Sequence, residues 1–196
     1  MVRRKFILIF LLLLVLFSTV WADTTGNTIC GTGSEPGTAW SNESNLTANN
    51  NAYATNSTSD VGVLVGSSYG FSIAAGSTID SIIMVMENRF TGGGNALQRT
   101  GYFGISKDGT TFANDSFTYE GLNNNNVTET SNGITDRLWG TTWTVTEANA
   151  IQTLLHRRAG SSQGTHQIDY HQVNIWFTTA GGAPDVSARR RRVLGQ

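Results

Sequence analysis

The 196-residue chain contains a single cysteine, Cys30, and only two prolines. A chain with one cysteine forms no internal disulfide, so burial of apolar side chains must hold the fold together. Cys30 is therefore either a buried thiol or a link to another chain. Charged residues are also scarce, at 14%, and the residues that favour long helices are thin after the N-terminal region. The sequence thus excludes a disulfide-stapled scaffold and a largely helical domain.

Glycine, serine, threonine and asparagine are abundant instead, and glycine alone accounts for 22 residues. Threonine and aromatic residues suit strands, whereas glycine, asparagine and serine suit turns. The composition is therefore typical of a loop-rich extracellular β-protein.

Residues 1–22 have the features of a secretory signal peptide. A basic start precedes an unbroken apolar run, residues 6–17, and Val20 and Ala22 occupy the −3 and −1 positions of a signal-peptidase site. An uncleaved anchor helix is disfavoured, because the apolar stretch is shorter than the roughly 20 residues that span a bilayer. We expect a mature chain that begins at Asp23, has no membrane segment and is secreted or held at the extracellular surface.

Charge is segregated along the rest of the chain. Residues 23–186 carry six basic and 14 acidic side chains, a net charge of −8, and the arginines of residues 189–192 follow. An acidic body argues against a nucleic-acid partner, because phosphate binding needs a basic face. We interpret residues 23–38 as a polar leader, residues 39–179 as the folded domain and residues 180–196 as a disordered basic tail.

Alternation of apolar and polar side chains predicts the strands of this domain. The predicted strands are residues 52–55, 61–65, 69–73, 79–86, 100–106, 112–119 and 173–177, with a loop or weak edge strand at 122–133. Residues 79–86 end in a run, residues 82–86, that is apolar on both phases, which predicts a strand covered on both faces. Asp108-Gly109 predicts a hairpin turn. About eight strands without a long helix predict a single jelly-roll-like antiparallel β-sandwich.

Several fragments occur together in the order and spacing of a known family. They are Ala39-Trp40-Ser41-Asn42, Tyr53-Ala54-Thr55, Gly70-Phe71-Ser72-Ile73 with Gly76-Ser77-Thr78-Ile79, Leu138-Trp139-Gly140, and Ile168-Asp169-Tyr170 with Val173-Asn174-Ile175. Through these fragments, residues 39–178 resemble the β-sandwich domains of bacteriophage tail and virion-surface proteins and of secreted bacterial proteins. The resemblance implies a structural or adhesive role without a catalytic motif.

Residues 144–158 carry two conflicting signals. Thr144 and Glu147 match a capping box, and the apolar residues after them form one helical stripe, which predicts about three helical turns. The family resemblance instead implies a single turn at residues 146–149 and a strand from Ile151. We favour the strand, because tertiary pairing commonly overrides a short helical stripe.

Residues 160–164 spell G-x-S-x-G, the pattern of a nucleophile elbow, close to His166, Asp169 and His171. That chemistry needs Ser162 on a strained strand-to-helix turn. Here the flanking sequence predicts a hairpin loop followed by a strand. We therefore predict that the motif is a loop and that the protein is not an enzyme.

Asp169 and His171 share a strand phase, and we interpret them as a hydrogen-bonded polar pair at the sandwich rim. As metal ligands they would need further partners, of which His156 and His166 are the remaining imidazoles. No cofactor is predicted; calcium is the metal left open, although no loop has the D-x-[DN]-x-[DN]-G spacing. Its candidate ligands are Asp108, Asp115, Asp136 and residues 123–126.

Four tryptophans either form a sugar-stacking platform or pack in the core, which is the commoner outcome. They are Trp40, Trp139, Trp143 and Trp176. Trp176 differs from the others because it shares its strand phase with Gln172 and Asn174, opposite the inward phase of Val173, Ile175 and Phe177. The candidate interface residues are therefore Trp176, Gln172 and Asn174. Five sequons mark candidate glycosylation sites at Asn42, Asn45, Asn56, Asn114 and Asn126.

Two functions fit these observations. The first is a non-enzymatic structural or assembly subunit of an extracellular surface, filament or virion-like particle, whose partner is itself or a neighbouring surface protein. The leader, residues 23–38, would then add a strand to another subunit. The second is a carbohydrate-binding adhesion module. An exposed aromatic cluster beside polar residues would favour the second function, and a strand-accepting groove the first.

Overall fold

Two antiparallel β-sheets pack face to face into a jelly-roll-like sandwich, as the sequence predicts. The computed structural model describes residues 22–57, 62–92, 100–114, 116–120, 125–131, 137–157 and 164–179, without the side chains of Thr100 and Glu120. Ser162, the tail 180–196 and all but Ala22 of the predicted signal peptide lie outside the described residues.

The described residues form eleven strands, more than the eight expected, and four of them are pieces of only two or three residues. The strands are β1 Ala22–Thr24, β2 Thr28–Ile29, β3 Thr32–Ser34, β4 Ala54–Asn56, β5 Val63–Ser67, β6 Thr78–Thr91, β7 Thr100–Ser106, β8 Phe117–Glu120, β9 Val127–Thr130, β10 Gln152–Arg157 and β11 Thr165–Thr178. A short 3-10 helix, Glu43–Leu46, precedes β4, and the α-helix α1, Val145–Asn149, precedes β10.

The longest strands, β6 and β11, pair along their length and form the centre of the six-stranded sheet. Strand β9 pairs with the free side of β6, whereas β1, β2 and β4 follow one another along the free side of β11. The five-stranded sheet has the order β3-β5-β10-β7-β8. Residues 23–38, which we separated from the sandwich as a leader, thus contribute paired strands to both sheets of their own chain.

The core lies between the sheets. Val173 and Ile175 of β11 are fully buried there, and so are Met84 and Met86 of β6. The prediction that residues 79–86 are covered on both faces is wrong. Burial alternates along β6, and the side chains that face away from the core, such as Val85, are only half-buried.

Residues 69–73 form no strand, which corrects the prediction of a strand there. Tyr69 and Ile73 are buried as the alternation predicts, but Ile73 binds the side chain of Asn149 and not a neighbouring strand. Its N–H donates to Asn149 Oδ1 (2.8 Å), and its C=O accepts from Nδ2 (3.1 Å). The Asn149 side chain thereby supplies the backbone hydrogen bonds that the alternation pattern led us to expect from a neighbouring strand.

The strand after Asp108-Gly109 begins at Phe117, not at residue 112. The Asp108 carboxylate accepts hydrogen bonds from the backbone N–H groups of Thr110 and Thr111, at 2.8 and 2.9 Å. These bonds close residues 107–111 on themselves, so the return strand starts later than a two-residue turn would allow.

The conflict over residues 144–158 is resolved as we favoured. Helix α1 makes a single turn, with both hydrogen bonds of the capping box between Thr144 and Glu147 present. Strand β10 follows and lies between β5 and β7. Pairing on both sides therefore outweighs the helical stripe.

Candidate functional site

The outer face of the six-stranded sheet gathers side chains from three strands. Because directly paired residues project from the same side of a sheet, the register defines this surface, which we call the Trp176 face. It comprises Tyr170, Gln172, Asn174 and Trp176 on β11, Ser81, Ile83, Val85 and Glu87 on β6, and Thr128 and Thr130 on β9. From Tyr170 to Trp176 the face extends about 20 Å along the strand.

Trp176 is half-buried on this face, with Thr24 and Ser81 as its cross-strand partners. Within the described part of the chain, its indole N–H has no hydrogen-bond acceptor. The buried hydroxyl of Ser81 has no partner there either. Trp176 therefore combines accessible ring surface with a donor that remains open to a ligand.

The two amides beside Trp176 differ in their freedom. Asn174 is fixed by the N-terminal strands: its Oδ1 accepts from the Thr24 hydroxyl and its Nδ2 donates to Asn27 Oδ1 at 3.1 Å. The side chain of Gln172 makes no hydrogen bond with any described residue. It is half-buried and is paired with Ile29 and Val85 on the adjacent strands, so its cross-strand neighbours are apolar.

Charged groups near the other end of the face are engaged within the protein. Glu87 Oε1 accepts a 2.7 Å hydrogen bond from Asn126. Arg89 donates from Nε to Gln167, and its guanidinium lies 4.1 Å from the centroid of the Tyr53 ring. Partial burial, with a smaller contribution from the Asp169 carboxylate, raises the pKa of Glu87. The groups of the face that remain free are therefore uncharged.

Asp169 and His171 do not form the predicted pair. Asp169 accepts hydrogen bonds from the backbone N–H groups of Asn50 and Asn51, at 3.3 and 3.1 Å. A hydrogen bond of 2.9 Å joins His171 Nδ1 and Thr153 Oγ1 in the core. A register shift between Ile168 and Tyr170 sends the two side chains to different surroundings. Complete burial lowers the pKa of His171 to about 3.

The candidate metal ligands that the structure describes do not converge. Among the described residues, no group of three or more His, Cys, Asp or Glu side chains is placed to hold a metal ion. His166 lies in the core against Tyr119 (3.2 Å), and His156 lies on the five-stranded sheet against Phe112. Asp108 binds its own loop; Asp115, Asp136 and residues 123–124 lie outside the described residues.

Three tryptophans belong to the core, which contradicts a platform built from all four. Trp40, Trp139 and Trp143 are buried, and each indole N–H donates to a backbone carbonyl at 2.9–3.0 Å. Those bonds satisfy the polar atom of each buried ring. Trp176 is the remaining member of the set.

Cys30 is a buried thiol, 1% exposed, whose Sγ donates to the carbonyl of Leu46 at 3.3 Å. Burial raises its pKa to about 11. A thiol so enclosed and so rarely ionised is unsuited to link chains, which decides between the two alternatives for Cys30.

The five sequons differ in accessibility. Asn56 is fully buried and accepts a 3.0 Å hydrogen bond from Arg157, so its prediction as a glycosylation site is wrong. Strand β4, which carries Asn56, pairs with β11 in the six-stranded sheet. Asn45 is partly buried and donates to the carbonyl of Tyr53. The three exposed asparagines are Asn42, Asn114 and Asn126.

Strand β11 begins at Thr165, directly after Gly164 of the G-x-S-x-G motif, so a strand lies where a nucleophile elbow requires a helix.

In the described residues no helix is long and apolar enough to cross a membrane.

Sequence reasoning placed Trp176, Gln172 and Asn174 on one strand but missed the residues of the Trp176 face on β6 and β9. The outward-facing residues of β6 could not be recognised from the sequence, because Ile83 and Val85 are apolar like the inward-facing residues of the strand. Thr128 lay in a segment interpreted as a loop or weak edge strand. Only the cross-strand register brings these side chains together.

No protein-family model matches this chain, and a search of curated proteins finds no significant match. Similar solved structures include the CBM36-1 domain of a multidomain xylanase from the hindgut metagenome of Trinervitermes trinervoides. Its identity is 16%, its TM-score is 0.40, and the match covers 82% of this chain and 98% of that one. A family 29 carbohydrate-binding module, CBM29_1 from Piromyces equi, has 7% identity and a TM-score of 0.39, covering 87% and 99%.

The glycoside hydrolase domain of Endo-D from Streptococcus pneumoniae R6 is also similar, with 11% identity and a TM-score of 0.33. The match covers 80% of this chain and 21% of that one. Likenesses of this strength carry no argument about ligand or activity, which depend on the chain's own residues. The resemblance to phage and secreted bacterial sandwich domains stays a prediction.

Proposed function

We propose that the protein is a non-catalytic, secreted carbohydrate-binding module that holds its ligand on the Trp176 face. The observation that carries the proposal is the combination of accessible Trp176 ring surface with the Gln172 amide, which lies four residues earlier on the same strand and makes no hydrogen bond with the described residues. Sugars present apolar C–H surface that suits an aromatic ring and hydroxyl groups that suit amide and hydroxyl side chains. The face offers both kinds of contact together.

Rigidity favours the same function. Trp176 and Gln172 project from β11, which pairs with the fourteen-residue strand β6 on one side and with β1 and β2 on the other. Strand pairing already orders the backbone beneath both side chains, so little backbone entropy is lost on binding and more of the contact energy contributes to affinity.

Assembly by strand addition has less support. The leader's strands β1 and β2 pair with β11 of their own chain, and β4 continues along the same edge. Those backbone groups are therefore occupied before another subunit arrives. Self-association through other surfaces remains a prediction, which light scattering of the purified protein tests.

The experiment is affinity electrophoresis through gels that contain neutral polysaccharides, namely xylan, hydroxyethyl cellulose, glucomannan and galactan. We expect at least one polymer to retard the parent protein, and Trp176→Ala to weaken that interaction about tenfold, or ~1.4 kcal/mol. Trp176→Phe should retain part of the binding, since it keeps an aromatic face. Phe71→Ala is the matched control, because Phe71 is a half-buried aromatic residue outside this face.

Melting temperatures of each variant establish that the fold is retained. Retardation of the parent by none of the polymers, or equal retardation of the parent and Trp176→Ala, would contradict the proposal.

A further inference from the structure

A second aromatic patch lies on the opposite side of the molecule, on the outer face of the five-stranded sheet. Tyr102 of β7, at 36%, has the greatest exposure of the large apolar side chains that the structure describes. It is paired directly with His156 of β10 and Thr118 of β8, so all three side chains share this face. The His156 ring lies 4.6 Å from the Phe112 ring. Tyr102, His156 and Phe112 thus contribute rings to one surface.

An open pocket adjoins this patch. Phe112 lines a cavity of about 230 Å³ together with Ala113 and the polar residues Lys107, Asp108, Thr111, Asn114 and Thr141. One ring thus belongs both to the exposed patch and to a polar cavity. Apolar surface beside a few polar groups is the usual composition of a small-ligand site.

The loop that forms the cavity is fixed before any ligand arrives. Asp108 accepts hydrogen bonds from the backbone N–H groups of Thr110 and Thr111 and from the side chains of Ser106 and Thr111, at 2.8–2.9 Å. Asn114 Nδ2 donates to the carbonyl of Gly140 at 3.0 Å. Because these hydrogen bonds already order the loop, it loses little conformational entropy when a ligand binds.

The charges of the cavity are already engaged. Lys107 Nζ donates to the Thr142 carbonyl (2.7 Å) and to Glu147 (3.0 Å), and the Asp108 carboxylate is used by its own loop. Among the described residues, Asn114 Oδ1 accepts no hydrogen bond, and the Thr141 hydroxyl makes only a long one of 3.5 Å. The groups left for a ligand are therefore neutral, as they are on the Trp176 face.

We propose that Tyr102, Phe112 and the adjoining cavity form a second binding site for a neutral saccharide, so that one molecule binds two glycan chains at once. The choice of ligand class rests on the proposed function. The two sites lie on the outer faces of sheets packed about 10 Å apart and point in opposite directions. A single rigid glycan segment cannot contact both faces, so double occupancy cross-links separate chains.

Stoichiometry is the test, measured by calorimetric titration with neutral hexasaccharides: xylohexaose, cellohexaose, mannohexaose and chitohexaose. We expect two hexasaccharides per parent protein. Tyr102→Ala removes the ring and Thr141→Arg fills the cavity. Each variant should retain one site. Trp176→Ala should also leave one site, and Tyr102→Ala combined with Trp176→Ala should leave none.

Two further measurements keep the outcome decisive. Tyr102→Phe retains the ring and should keep both sites, and Ser34→Ala, an exposed substitution outside either site, should change nothing. The parent should increase the turbidity of the matching soluble polysaccharide, and each single-site variant should lose that effect. A dimer with one site per subunit would also cross-link, but its stoichiometry would be one per protein.

The two proposals fail in different ways. One site per parent molecule, unaffected by Tyr102→Ala and Thr141→Arg, overturns the second site and leaves the Trp176 face in place. One site lost with Tyr102→Ala but kept with Trp176→Ala overturns the proposed face. Absence of binding to every hexasaccharide overturns both.

Discussion

His171 is buried in the core with its Nε2 atom free of any hydrogen bond to the described residues. Its Nδ1 is joined to Thr153 Oγ1, which is joined in turn to the Tyr69 hydroxyl at 2.8 Å. Gly66 belongs to the same arrangement, because a Cβ atom there would lie 2.6 Å from Thr153 Oγ1. The chain therefore carries a polar group in its core that tolerates only the neutral imidazole.

This histidine makes stability depend on pH. Burial lowers its pKa to about 3, well below the ~6.5 of an unfolded chain, so the unfolded state binds more protons between these values. We expect the free energy of unfolding to be constant above about pH 6.5 and to fall below it by up to ~1.4 kcal/mol per pH unit. His156, whose pKa burial also lowers, contributes in the same direction.

Urea unfolding of the parent and His171→Gln between pH 7.5 and 4.5 measures this dependence. The variant should be less stable at pH 7.5 but should lose less stability on acidification than the parent. Parallel profiles for the two proteins would contradict the assignment.

At the scale of the element, helix α1 owes its single turn to its capping box. Thr144 Oγ1 accepts from the N–H of Glu147 at 3.2 Å, and Glu147 Oε2 accepts from the N–H of Thr144 at 2.8 Å. Loss of one such cap usually costs about 1 kcal/mol. We expect Thr144→Ala to lower the free energy of unfolding by about that amount, measured by chemical denaturation.

Thr146→Ala is the control for this change, because Thr146 is exposed on the same turn and its side chain makes no hydrogen bond with a described residue. It should be close to neutral. Alanine has the higher helix propensity, so an equal loss of stability in both variants would contradict the assignment of the loss at Thr144 to its cap.

The same elements indicate what local sequence can predict. Alternation correctly assigned the inward residues Val173, Ile175 and Phe177, because side-chain direction has a period of two within one strand. It failed at residues 69–73, whose alternation exists without a pairing strand. It also could not find β1, β2 and β3, which are too short to display a period.

At the scale of the whole molecule, composition predicted the sandwich but not its surfaces. The Trp176 face joins β9, β6 and β11, and the Tyr102 site joins β10 to the loop at residues 107–114. These segments are far apart in the chain, and their register depends on tertiary pairing. The sequence could therefore identify Trp176 as a candidate interface residue, but it could not identify the groups that surround it.

Saccharide binding at the Trp176 face is the central claim, and nuclear magnetic resonance tests it most directly. The indole N–H of Trp176 has no acceptor among the described residues, whereas those of Trp139 and Trp143 are bonded to backbone carbonyls. Titration with a hexasaccharide that binds the protein should shift the indole resonance of Trp176 and the side-chain amide resonances of Gln172. The indole resonances of Trp139 and Trp143 should remain in place. Saturation of binding without a shift at Trp176 or Gln172 would contradict the account.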